Sequence, residues 1–198
     1  MTLRRTYTFW AAGYDALVAG ATARARQQSL AGLGNVAGQH ILIDGVGTGL
    51  DYPWLSAGAN YVGVDLTWAM LKKAADRPDG GPVALVQGDA MQLPFADAAF
   101  DQIIMHLILA VVPQPARALA EAARVLKPDG QILIFDKFLK PGQKAPLRRL
   151  ISPLLGRLAT RTDVVFENVL HEVPRLQVMA DAPALAGGWF RLIRLRKA

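Results

Sequence analysis

Asp44-Gly45-Val46-Gly47-Thr48-Gly49 sets three glycines at alternate positions directly behind an acid. A loop of this kind lets a ligand approach the backbone where any Cβ would collide. A helix following it would present its free amide groups at the same spot. The spacing is G-x-G-x-G, whereas G-x-G-x-x-G is the pattern that seats a pyrophosphate on a helix N-terminus. An acid before the first glycine repels phosphate and suits a cation such as an ammonium or a sulfonium. Taken alone, the stretch also reads as a plain glycine-rich turn. Asp65, in Gly63-Val64-Asp65-Leu66, lies 20 residues beyond Gly45, where a carboxylate accepts the hydroxyls of a ribose; a lone acid there equally suits a helix N-terminus. In Gln87-Gly88-Asp89-Ala90, Asp89 closes another apolar run, where it would accept from the exocyclic amine of an adenine or serve a turn. His106 ends a fourth run as a candidate base or acceptor contact, against the alternative of a histidine that only shapes a pocket. The other histidines, His40 and His171, are not spaced for a shared metal, and there is no cysteine. Disulfides, zinc ribbons, iron–sulfur sites and thiol nucleophiles are thereby excluded, and no metal site is expected.

The elements that must position these groups follow from hydrophobic pattern. Apolar runs at His40–Asp44, Tyr61–Val64, Val83–Val86, Phe100–Met105 and Gln131–Phe135 read as strands. Helical stretches are predicted at Leu50–Ala57, Thr67–Ala75 and Pro115–Leu126, with Thr67 as an N-cap and Lys127-Pro128-Asp129-Gly130 as a stop and turn. Strands that are continuously apolar are buried on both faces, as in a parallel sheet covered by helices. Alternating β and α units therefore predict a doubly wound α/β domain, with its ligand at the carboxyl ends of the strands. Beyond Asp136 come a basic insertion, a helix near Val164–His171, strands at Leu176–Met179 and Trp189–Leu195, and a turn at Gly187-Gly188. Before the first strand, Trp10, Tyr14, Leu17, Val18 and Ala21 share one helical face.

The chain has 198 residues, 52% apolar and 19% charged, which suits one folded domain with a sizeable core. Net charge is +6 and unevenly spread. Residues 40–136 carry six basic and eleven acidic side chains, whereas 137–161 carry seven basic and none acidic. An acidic middle between basic flanks is not a uniform nucleic-acid-binding surface, and no nucleic-acid partner is expected. The longest apolar run, Ile103–Val112, is about half the length needed to span a membrane. Arg4-Arg5 ahead of an apolar stretch and Ala21-Thr22-Ala23 mimic a secretory signal, but Gly13 and Asp15 interrupt it. A cytoplasmic location is expected.

Together D-x-G-x-G-x-G, the strand-two acid Asp65, G-D-A-x-x-L-P-F from Gly88, F-D-x-I-I from Phe100 and L-K-P-D-G from Leu126 resemble the class I S-adenosylmethionine-dependent methyltransferases, in the type 11 group. The resemblance runs from about His40 to Phe135. It implies a mostly parallel seven-stranded sheet with helices on both faces and an antiparallel last strand. It also implies S-adenosylmethionine as cofactor. Asp44, Gly45, Gly47 and Gly49 would then surround the methionine part, Asp65 and Leu66 the ribose, and Asp89, Ala90 and Met91 the adenine. Met91-Gln92-Leu93-Pro94-Phe95 is similar to the small-molecule enzymes, among them quinone C-methyltransferases. Arg5-x-Tyr7, Trp10-x-x-x-Tyr14-Asp15 and Gly187-Gly188-Trp189-Phe190 are most similar to the bacterial phosphatidylethanolamine N-methyltransferases. The N-P-P-[YF] signature of many nucleic-acid and protein methyltransferases is replaced by Met105-His106-Leu107-Ile108, and the cysteines of arsenite methyltransferases are absent.

Under this resemblance residues 1–198 are a single domain: an N-terminal helical lid over 1–39, a cofactor core over 40–136, and a basic insertion with C-terminal strands over 137–198. Tyr14 on the lid and His106 are the expected catalytic residues. Leu147, Leu150, Ile151, Leu154, Leu155 and Leu158 recur at helical spacing with Arg148, Arg149 and Arg157 between them. Such a segment suits an anionic membrane surface or, equally, a solvated cap. A monomer acting on a small or lipid acceptor is expected, with a peripheral position on the inner membrane face as a further reading of the basic segment. Two other classes stay open on the residues alone: a nicotinamide-dependent oxidoreductase and a non-catalytic cofactor-binding protein.

Overall fold

The computed structural model describes residues 19–78, 81–139 and 164–198. Its strands are β1 (His40–Asp44), β2 (Asn60–Asp65), β3 (Val83–Gln87), β4 (Phe100–His106), β5 (Leu126–Lys137), β6 (Leu176–Leu185) and β7 (Phe190–Lys197). They form one sheet in the order β3-β2-β1-β4-β5-β7-β6. β1 to β5 pair in parallel, and β7 runs antiparallel to both β5 and β6. Strand order reverses between β1 and β4, so the sheet has its switch point there.

The helices are α1, described over 19–30, α2 (Trp68–Ala75), α3 (Pro115–Val125) and α4 (Phe166–His171). Side chains alternate across a strand, and the central strands divide accordingly between two cores. Leu42, Ile103, Met105, Ile132 and Ile134 pack with residues of α3 and α4. Ile41, Ile43, Ile104 and Leu133 pack with Leu30 of α1 and with Leu71 and Ala74 of α2. Both faces are therefore covered, which is why these strands read as unbroken apolar runs.

Two local expectations are corrected. No helix forms over Leu50–Ala57; a single 3-10 turn, Tyr52–Trp54, replaces it. Gly49 at φ +78° turns the chain, and Pro53 supplies no N–H for a helical ladder. Thr67 takes the N-cap position of α2 as expected, in extended backbone, but makes no side-chain cap bond to the helix; its hydroxyl is given to Asp65 Oδ1 at 3.1 Å. Ala21, the one described residue of the expected Trp10–Ala21 face, is exposed; the buried stripe of α1 is Thr22, Ala25, Arg26, Ser29 and Leu30. Trp10, Tyr14, Leu17 and Val18 lie outside the described residues, as does the basic stretch from Leu147 to Leu158. The strands near the end are longer than expected, and the predicted turn at Gly187-Gly188 falls in a 3-10 turn, Ala186–Gly188. Lys127-Pro128-Asp129-Gly130 is a bulged entry to β5, with Asp129 at φ +61°.

Candidate active site

At the carboxyl ends of β1, β2, β3 and β4 lies a cavity of about 380 Å³, within the size range of small-molecule sites. Asp44, Gly45, Gly47, Asp65, Leu66, Asp89, Ala90, Met91 and His106 all line it. The parallel register explains the convergence: Asp44 pairs beside Val64, and Asp65 beside Gln87, so each strand ends at the same edge. Gly49, expected on this wall, does not line it. A Cβ there would lie 2.8 Å from the Tyr52 ring, so its role is packing. Gly47 differs: at φ +55° its nearest neighbour for a Cβ is the Gly45 carbonyl at 3.9 Å, which leaves the loop bare where a ligand would lie.

The loop's amides are less free than the sequence suggests. Those of Gly45 and Val46 donate to the Val64 carbonyl at 2.9 and 2.8 Å, and that of Gly49 to Val46. The Gly47 N–H donates to Asp65 Oδ2 at 3.1 Å. Asp65 Oδ1 accepts from the Thr67 amide at 2.9 Å as well as its hydroxyl. Burial raises the Asp65 pKa, opposed by these bonds from Thr67 and Gly47. A carboxylate has about four acceptor positions, so Asp65 keeps capacity for a ligand hydroxyl. Asp89 Oδ1 accepts the Met91 N–H at 2.8 Å, which fixes the turn that carries Ala90 and Met91.

Asp44 is the anomaly. It is fully buried, and neither carboxylate oxygen has a hydrogen-bond partner. Burial first, then the charges of Asp65 and Asp89, push it up to about 7. An orphaned carboxylate beside a bare glycine loop is a cost unless a ligand cation meets it. It fits the ammonium or sulfonium of S-adenosylmethionine; Asp65 and Asp89 fit the ribose and adenine of the same molecule.

Arg26 and His106 line the same cavity and belong to a polar cluster that residue patterns did not reveal. His106 is buried, with Nδ1 at 2.8 Å from Asp51 Oδ1 and Nε2 at 2.9 Å from Ser29 Oγ. Arg26 donates Nη1 to the same Asp51 oxygen at 2.8 Å and Nε to Thr22 Oγ1 at 3.2 Å. Burial alone would raise the Asp51 pKa, but His106 and Arg26 more than offset it and hold the carboxyl well below its usual range. In the sequence, Asp51 simply follows Gly49-Leu50, and Arg26 and Ser29 are polar positions in an alanine-rich helix. Their buried spacing on α1 was the available signal. The remaining wall, Leu107 to Pro113, hangs from Asp136: its Oδ2 accepts the Ala110 N–H at 2.9 Å, and burial lifts it to about 6. Leu107 takes φ +59° there, a conformation uncommon outside glycine. Among the described residues no group of side chains could hold a metal ion.

Comparison with known proteins shows the family and the fold. A methyltransferase domain model matches residues 43–134. A phosphatidylethanolamine N-methyltransferase of Cereibacter sphaeroides is 31% identical over 98% of this chain and 96% of its own length. A demethylmenaquinone methyltransferase of Clavibacter sepedonicus is 39% identical, over 94% of this chain and 75% of its own. An S-adenosylmethionine-dependent methyltransferase structure from Thermotoga maritima, described as a possible histamine N-methyltransferase, superposes over 100% of both chains with a TM-score of 0.73 at 20% identity, a likeness of fold. The chain thus belongs to the S-adenosylmethionine-dependent methyltransferases, and its doubly wound sheet is theirs.

Proposed function

We propose that the enzyme methylates the primary amine of a phospholipid head group. The observation that carries this reading is the match over nearly the full length of both chains to a relative named for that reaction. The basic flanks of the sequence and the apolar wall formed by Leu50, Ile108, Val111 and Val112 support it. A second reading, methylation of a quinone ring carbon, is favoured by the higher identity to the demethylmenaquinone enzyme.

When bound, the cofactor supplies a methyl group on a sulfonium, which already has an excellent leaving group. What remains for the protein is to bind, orient and exclude water. Asp44 holds the cationic amino-acid end, Asp65 with Leu66 the ribose, and Asp89 with Ala90 and Met91 the adenine. The Leu107–Pro113 wall, anchored by Asp136, keeps water from the acceptor side. An ammonium has no lone pair to attack with, so the acceptor must first lose a proton. His106 is the group to take it: Asp51 stabilises the resulting imidazolium, and Nε2 becomes available when the Ser29 hydroxyl turns away. Tyr14 offers an aromatic face to the acceptor cation.

The test is transfer of labelled methyl from S-adenosylmethionine to phosphatidylethanolamine vesicles, to a demethylquinol and to soluble amines, assayed in parallel. Labelled lipid amine is the expected product. Label confined to the quinol would replace this reading with the second.

A further inference from the structure

Among the described residues four large apolar side chains are exposed: Leu66, Trp68, Val178 and Met179. Val178 and Met179 belong to β6, the edge strand at one end of the sheet. Leu66 and Trp68 lie toward the other end, flanking Thr67 where β2 passes into α2. That turn follows the carboxyl end of β2, so the pair stands on the edge that carries the cavity. Leu66 lines the cavity and is still 38% exposed, which makes it part of the rim. Trp68 is 67% exposed and does not line the cavity, although Thr67 and Met70 do. The helix does not need the indole for packing, because α2 is held by the buried Met70, Leu71 and Ala74. Lys72, one turn along from Trp68, is exposed as well.

A large apolar side chain exposed singly is ordinary, whereas two on the rim of a cavity mark a contact surface. A protein partner matches it poorly. A stable interface takes about 800 Å² from each side around a core of several buried apolar side chains, and one leucine with one tryptophan does not supply that. A bilayer matches it well. An indole, apolar in body and polar at its N–H, settles at the level of the head groups, and a lysine stem follows while its ammonium stays in water. We propose that Leu66 and Trp68 form an interfacial anchor that seats the rim of the cavity on a phospholipid bilayer, whatever the net charge of the lipid. What the docked enzyme then methylates rests on the acceptor reading above; the docking does not.

The experiment is co-sedimentation of the full chain with phosphatidylcholine vesicles at high salt, comparing the wild type, Trp68→Ala and Trp68→Phe. This lipid has no net charge and no amine to methylate, and salt screens any attraction to the basic flanks. Losing one large apolar contact corresponds to about a ten-fold loss of partition for Trp68→Ala, and Trp68→Phe should keep most of the wild-type value. With brominated acyl chains, the emission that distinguishes the wild type from Trp68→Phe should be quenched. Calorimetry should find the same affinity for S-adenosylhomocysteine in all three proteins. A wild type that does not sediment, or equal partition of the wild type and Trp68→Ala, overturns the anchor. So does a loss of S-adenosylhomocysteine affinity as large as the loss of partition, which would make Trp68 a cofactor contact. Failure of the wild type to methylate phosphatidylethanolamine would refute the acceptor reading alone, since the sedimentation contains no acceptor.

Discussion

Asp44 shows how a single residue sets stability against function. In the unfolded chain it titrates near its ordinary value of 3.8, whereas burial and the facing acids push it up to about 7 in the fold. Between these values the folded state keeps a proton that the unfolded chain has released. Stability therefore falls as pH rises through that window, and the loss is complete above it. Asp44→Asn removes the burden. Without ligand the variant should be more stable than the parent at pH 8, by a few kcal/mol at most, with a smaller advantage at pH 5. Urea denaturation at the two pH values checks this, and equal advantages would show that Asp44 is not held neutral. The same variant should bind S-adenosylmethionine more weakly, since a neutral amide replaces the one acid aimed at its cation. His106 poses a different question. If it takes the acceptor's proton, His106→Ala lowers turnover while calorimetry finds the affinity for S-adenosylhomocysteine nearly unchanged. Losses of equal size in both would mean that the ring only shapes the wall.

At the scale of the element, the loop after β1 does two jobs with chemically identical residues. Gly49 is closed in: a Cβ would collide with Tyr52 at 2.8 Å in a backbone at φ +78°. Gly47 is open: only backbone strain at φ +55° opposes a Cβ, with nothing closer than 3.9 Å. Gly49→Ala should cost about 2–3 kcal/mol of stability through strain and overpacking. Gly47→Ala should cost roughly 1 kcal/mol and weaken the cofactor far more than Gly49→Ala does. Denaturant midpoints and calorimetry on both variants read the two quantities separately; matched stability losses would contradict this division of labour. The loss of the expected helix has the same origin. Once Asp51 is drawn to Arg26 and His106 and Pro53 follows, the segment closes as a single 3-10 turn.

For the whole molecule, charge is arranged on a larger scale than any site. Residues 40–136 are net acidic, and 137–161 carry seven basic residues with no acid. A basic sequence of that kind would be drawn to an anionic bilayer, and such attraction is screened beyond about 8 Å at physiological ionic strength. Co-sedimentation with vesicles rich in anionic lipid should capture the wild type at low salt and release it as salt rises. Replacing Arg148, Arg149 and Arg157 together with alanine should weaken capture severalfold. If both proteins stay in the supernatant at low salt, the basic stretch is a solvated cap and the acceptor reaches the cavity from solution. No helix among the described residues is long and apolar enough to cross a membrane.

The sheet, its parallel character and three of the carboxylates around the cavity were legible in the sequence because each rests on local chemistry. Ile41–Ile43 and Ile103–Met105 are apolar without interruption because both faces of their strands are covered, and periodicity records that directly. Asp44, Asp65 and Asp89 each end such a run, so parallel pairing alone brings them to one edge. Arg26, Ser29, Asp51 and His106 are different. They come from a helix, a turn and a strand separated by 25 to 77 residues, and no spacing along the chain marks them as partners. Only the packing of α1 against the carboxyl edge decides that a polar stripe faces inward there, and that His106 has both ring nitrogens engaged. Local sequence determined which strand ends carry acid; the tertiary structure decided where the positive charge of the cavity stands, because a buried ion pair exists only once separate elements have closed around it.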